Sequence, residues 1–152
     1  MTNSTGTSPS ELLPRWDVSD LHESLTARSF TAAQEQVGAD VDRLVALFDE
    51  LDIRATSRAI EPADADRADR AIREFNRVST DLDLLDSYVY SIVSTNSRDE
   101  PAQSTMSEID TTGASLRPLL ARLADWVASL GVDALAEVSS EAHEHLGPLQ
   151  RF

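Results

Sequence analysis

The amino-acid sequence predicts an all-α protein, an antiparallel bundle of three long helices with short flanking helices. Three observations carry that expectation. Three segments repeat apolar residues at helical spacing, prolines and glycines punctuate their ends, and no segment alternates apolar and polar residues as a half-buried strand would.

Residues Met1 to Ser10 are small and polar, too poor in apolar groups to offset the entropy of ordering them, so residues 1–11 are expected to be a disordered tail. The expected helical domain spans residues 12–152 and begins with Leu12-Leu13-Pro14-Arg15-Trp16-Asp17. Asp17 or Ser19 can cap a short helix over Asp20–Leu25.

The first long helix is expected over Phe30–Ile53. Its apolar stripe is Phe30, Ala33, Val37, Val41, Leu44, Phe48 and Leu51, with steps of 3, 4, 4, 3, 4 and 3 residues. Asp40, Asp42, Arg43, Asp49 and Glu50 fall largely off that stripe.

A second helix is expected to start at Pro62, whose missing N–H has no partner to lose in a first turn. Its stripe runs through Ala65, Ala68, Ile72, Phe75, Val78 or Ser79, Leu82, Leu85, Val89 and Ile92. Asp66–Arg70, Asp69–Arg73 and Arg70–Glu74 are spaced for ion pairs on its outer face, each worth about 0.2–0.5 kcal/mol. Tyr88 to Val93 is rich in β-branched and aromatic residues, but the helical period runs unbroken into it.

Thr95-Asn96-Ser97 marks a turn. The third helix then begins at Pro101 and carries Ala102, Met106, Ile109, Gly113, Leu116, Leu120, Leu123, Val127 and Leu130. Pro118 is expected to kink it or split it near Leu116, and Gly131 to stop it. Asp133–Val138 and Ser140–Leu146 can each form a short helix, closed by Gly147-Pro148.

Composition narrows the function. The 152 residues include 27 acidic and 13 basic side chains, a formal net charge of -14, and every basic residue is arginine. Nucleic acid and anionic membrane surfaces are poor partners for such a chain, since both need clustered positive charge. With no cysteine there is no disulfide, no thiolate metal site and no thiol nucleophile. The longest apolar run, Leu44 to Phe48, is five residues, far short of a membrane span. The N-terminus lacks the basic and apolar stretches of a secretory signal, so the expected setting is soluble and cytoplasmic.

The chemistry-bearing clusters do not assemble a catalytic, cofactor or metal site. In Glu141-Ala142-His143-Glu144-His145 only Glu141 and His145 share a helical face, and two ligands fall short of the three or four that zinc requires. His22-Glu23-Ser24-Leu25-Thr26 has threonine where a zinc-binding His-Glu-x-x-His needs its second imidazole. Asp81, Asp83 and Asp86 read as a solvated face, and Asp99-Glu100 as a helix cap. Phosphate-binding and nucleophile-elbow glycine motifs are missing, and without lysine no Gly-Lys phosphate loop is possible. Tyr88, Tyr90 and Trp126 read as packing residues more readily than as a ligand box. Tyr88 and Tyr90 point to different faces, which leaves at least one free to be exposed.

Two stretches carry a family resemblance. Pro14-Arg15-Trp16-Asp17-Val18-Ser19-Asp20-Leu21 resembles the Arg-Trp-Asp-Leu-Ser-Asp-Leu-Tyr signature near the N-terminus of oligoendopeptidase F-like enzymes, the M3 zinc metallopeptidases. Val18 stands for the usual leucine and His22 for the tyrosine. Leu85 to Ser91, with Ser94-Thr95-Asn96-Ser97 and Pro101-Ala102-Gln103, resembles a second anchor of that family, where a helix, a Thr-x-Asp/Asn turn and another long helix follow one another.

The resemblance implies an N-terminal helical domain over residues 14–152 that shapes access to a peptide channel. It also implies zinc and His-Glu-x-x-His in a C-terminal catalytic domain, which would be this domain's partner, with short peptides as substrate. No residue here matches that catalytic motif, so the chain alone is expected to be inactive. The ending Leu149-Gln150-Arg151-Phe152, apolar and without a polar tail, agrees with continuation. The competing reading is a stand-alone acidic helical module that binds a partner helix in an apolar groove.

Excess carboxylate repels itself, and salt screens that repulsion over a Debye length of about 3 Å at 1 M. The melting temperature is therefore predicted to rise between dilute buffer and molar KCl. A flat or falling trend contradicts this.

Overall fold

A computed structural model describes residues 21–151. The elements are α1 (Arg28–Glu50), α2 (Ala63–Thr95), α3 (Glu100–Leu130), α4 (Val132–Val138), α5 (Ser140–Glu144) and α6 (Leu146–Leu149). The described residues contain no strand, and none of their helices is long and apolar enough to cross a membrane. The expected tail, the Arg15-Trp16-Asp17 segment and Phe152 lie outside the described residues.

The three long helices alternate in direction. Asp40 and Glu50 of α1 reach Arg77 and Arg70 of α2, an antiparallel order, whereas Gln34 and Asp49 reach Glu108 and Arg122 of α3 in parallel order. The shared core takes Phe30, Val37, Val41, Leu44 and Phe48 from α1. To these α2 adds Ile72, Val78, Leu82, Leu85 and Val89, and α3 adds Ile109, Leu116, Leu123, Trp126 and Val127. The helical period thus identified most of the interior, and truncating one of its large aromatics to alanine removes about 3–5 kcal/mol. Helix α4 packs on α2 and α3, α5 packs on α2, and both touch α6, closing one end of the bundle.

Several boundaries differ from expectation for local reasons. Residues 21–27 form turns and bends instead of a helix over Asp20–Leu25. Tertiary contacts win there: the His22 ring packs edge-on against Phe30 and Tyr88, and the Tyr88 hydroxyl donates to the His22 carbonyl at 2.9 Å.

Helix α1 ends at Glu50, short of Ile53, because Asp52 turns left-handed at φ 55°. The Ile53 N–H then bonds back to the Phe48 carbonyl at 2.9 Å, and both side chains are buried, which is a Schellman close. Helix α2 is assigned from Ala63, although Pro62 already has helical angles (φ -55°, ψ -30°).

Pro118 does not split α3, which runs unbroken from Glu100 to Leu130. Ala114, whose carbonyl loses its helical donor to the proline, is exposed, so water can take that donor's place. Gly131 ends the helix at φ 89°. Gly147-Pro148 lies inside α6 instead of closing the chain, since a proline in a first turn forfeits no helical bond.

Two carboxylates lie in the interior. Asp40, which the periodicity set off the apolar stripe, is 2% exposed, and Asp64 is fully buried. Asp40 accepts from Arg43, from Gln36 at 3.0 Å and from Arg77 of α2 at 3.1 Å. Asp64 takes a two-pronged bond from Arg58 at 2.7 Å on each arm, with Arg67 at 3.1 Å and the Glu61 N–H at 2.8 Å.

The outer-face pairs rearrange as well. Asp66–Arg70 forms at 3.9 Å, but Arg70 also reaches Glu50, Glu74 pairs with Arg77, and Arg73 pairs with Glu141. Asp69 accepts from the Ser139 hydroxyl at 2.6 Å and the Glu141 N–H at 3.0 Å, clipping the start of α5 to α2. Burial pushes the Asp69 carboxyl up, but these bonds outweigh it and hold the group below its ordinary value.

Arg122 of α3 secures the end of α1. Its guanidinium donates to the carbonyls of Ile53 and Phe48 and to the Asp49 carboxylate, and lies 5.9 Å from the centre of the Phe48 ring. The guanidinium thus sits at the negative pole of the α1 C-terminus. Arg122→Met is predicted to lower unfolding free energy by about 2–3 kcal/mol in urea titration. Arg122→Lys is predicted to recover less than half, because an ammonium lacks the planar fork. A lysine variant as stable as the parent contradicts that role.

Candidate functional site

The residues singled out for chemistry are dispersed by the fold. Glu141 and His145 do share a face, 3.7 Å apart, but Glu141 is held by Arg73 at 3.0 Å and His145 by Asn76 at 3.0 Å. His143 is exposed on a different side. Among the described residues no three His, Asp or Glu side chains converge as metal ligands. His22 serves packing against Phe30 and Tyr88.

Asp99 caps α3, accepting from the Ala102 N–H at 3.0 Å. Tyr88 and Trp126 are core residues at 3% and 1% exposure, whereas Tyr90 stands 61% exposed. Burial raises the Tyr88 hydroxyl above its ordinary value, so it remains a donor to the His22 carbonyl at neutral pH.

Two of the hollows on the surface lie between long helices. Between α1 and α2 lies one of about 450 Å³, bordered by Arg43, Arg70, Arg73, Glu50 and Glu74 over Leu47. Its guanidiniums are engaged by Asp40, Glu50 and Glu141, which leaves the hollow nearly neutral.

The other is a groove of about 400 Å³ between α2 and α3. Its floor is Phe75, Leu82, Ile109, Leu116 and Leu120, with Gly113 at the middle. A Cβ on Gly113 would come within 3.3 Å of a Leu82 methyl, so the glycine lets the two helices approach closely there. Asp83, Asp86, Asp110 and Arg117 stand on the rim. This groove is where the periodicity misassigned a residue. Leu120 belongs to the expected core stripe of α3, yet it is 37% exposed, and Leu119 takes the interior position. Asp83 and Asp86, read from sequence as a solvated face, border apolar surface. The signal available in advance was the run Gly113-Ala114 opposite Leu82, which thins the wall between two otherwise bulky stripes.

The fold and surface together define an acidic, lysine-free three-helix bundle with an open groove on its second and third helices. No protein-family model, curated protein or solved structure matches the chain.

Proposed function

We propose that this chain is the N-terminal helical lobe of an M3-type oligopeptidase, a non-catalytic domain that shapes substrate access in a parent enzyme acting on short peptides. What supports the reading is a contact between Tyr88, in the second family-like stretch, and His22, which stands where the first stretch's signature has its tyrosine. His22, directly after Pro14–Leu21, packs its ring on Tyr88 at 5.1 Å, and Tyr88, in Leu85–Ser91, donates its hydroxyl to the His22 carbonyl. Phe30 joins them, its ring centre 5.5 Å from that of Tyr88. Residues 66 apart in the sequence thus build one structural joint.

In the parent, zinc on the C-terminal catalytic domain would supply the activated water, with a glutamate as base. The residues of this chain take no part in that step; they form a wall. A second reading, a stand-alone acidic module in the cytoplasm that binds a partner helix, is favoured by the open groove between α2 and α3.

The purified 152-residue chain, supplied with zinc, is predicted to leave internally quenched short peptides uncut, and its reading frame to continue past Phe152 to a His-Glu-x-x-His sequence. Chelator-sensitive hydrolysis by the pure chain, or a stop codon directly after Phe152, would overturn the peptidase-lobe reading.

A further inference from the structure

We propose that the groove between α2 and α3 is a docking site for an amphipathic helix with a basic flank, supplied by a partner polypeptide. The inference rests on the groove and on the interaction-module reading, and is independent of the peptidase one.

Length comes first. The lining runs from Phe75 to Asp86 on α2 and from Ile109 to Leu120 on α3, a trough of about 17 Å at the helical rise, enough for three turns of a third helix. Among the described residues only α2 and α3 line it, while α1 packs elsewhere on the same pair. Beyond the groove's lining, Tyr90 follows Asp83 and Asp86 along the rim side of α2 at helical spacing and is 61% exposed. Gly113 and Ala114 put no bulk in the middle, so an incoming helix can lie close.

Charge selects the occupant. Three carboxylates, Asp83, Asp86 and Asp110, face one guanidinium, Arg117, around the floor. Some carboxylates elsewhere on the surface are neutralised: Asp49 by Arg122, Asp81 by Arg77 and Glu141 by Arg73. Among the described residues the three rim carboxylates have no such partner. A second copy of this chain, at net charge -14, is repelled, and the chain's own residues 8–21 carry three acids against one arginine. A helix with leucine-like residues at i, i+3, i+4 and i+7, and arginine or lysine beside them, satisfies floor and rim together.

The test uses the full chain and a fluorescein-labelled designed peptide of about sixteen residues, long enough to fill three turns. It carries that leucine stripe and basic flanks. One counterpart has glutamate on the flanks, and a second has the same composition scrambled so that no stripe forms. Fluorescence anisotropy in 0.15 M KCl is expected to show both counterparts binding at least about tenfold more weakly than the basic striped peptide.

Leu120→Arg, at an exposed position and checked for folding by circular dichroism, is expected to weaken binding by a similar factor. The triple reversal Asp83→Lys, Asp86→Lys and Asp110→Lys is expected to turn the preference toward the glutamate peptide. The same reversal at the exposed Glu35, Asp42 and Glu137 is expected to leave the preference intact. Equal binding of the scrambled peptide, insensitivity to Leu120→Arg, or no binding at all overturns the proposal. So does a dimer in sedimentation that Leu120→Arg dissolves, which would make a second copy the occupant. Competition by a synthetic peptide of residues 8–21 likewise overturns it, in favour of the chain's own segment.

Discussion

Carboxylates buried among apolar helices are tolerable only when something cationic is buried with them, and this chain has only guanidinium for the task. An isolated ionised carboxylate inside a bundle is so unfavourable that it would neutralise or unfold its surroundings. Asp64 avoids both through the planar fork of Arg58, with Arg67 and a backbone N–H filling its remaining acceptor positions. Asp40 accepts hydrogen bonds from Arg43 and Arg77, one from its own helix and one from the next. The second arrangement fixes where α2 lies against α1. Glu74, and then Asp40, hold Arg77 firmly in its charged form. Arginine suits the role better than lysine because one fork can meet two oxygens at once.

These locks explain what a sequence reading can and cannot see. Apolar spacing identified the three long helices and most of their buried faces, from Phe30 on α1 to Leu130 on α3, but its stripes passed over Ala71, Tyr88, Leu119 and Trp126. The same period set Asp40 on the solvent side, since it weighs hydrophobicity and has no means of foreseeing that Arg77, on another helix, completes the site. Asp69 and Arg73, four residues apart, looked like a local pair; each instead found a partner on α5, some seventy residues away. Local spacing gives the opportunity for a contact, and tertiary packing decides which of several opportunities is used.

The groove was hidden for a related reason. Leu120 continues the stripe of α3, and on periodicity alone it is indistinguishable from Leu116 or Leu123. Only the positions of α1 and the short terminal helices reveal that nothing described covers it. The shared face of Glu141 and His145, with His143 off it, was more legible, because that spacing can be tested against helical geometry directly. A scaffold of this kind presents surfaces, a joint at Tyr88 and a trough at Leu120, and both functional readings draw on surfaces and not on reactive groups.

The central claim is that the Arg58 fork holds the buried Asp64 carboxylate ionised, so that it can sit inside the bundle. Arg58 acts first on Asp64 and outweighs the effect of burial, with the Glu61 N–H and Arg67 adding to it, so its pKa falls from 3.8 to about 2. Because the folded value is depressed, the stabilisation, about 2 kcal/mol, is fully present above the unfolded pKa and is lost as pH falls from near 4 toward 2. A carbon-detected NMR titration of the Asp64 side-chain carboxyl measures this directly. The account predicts a midpoint of about 2, and a midpoint at or above 3.8 would contradict it.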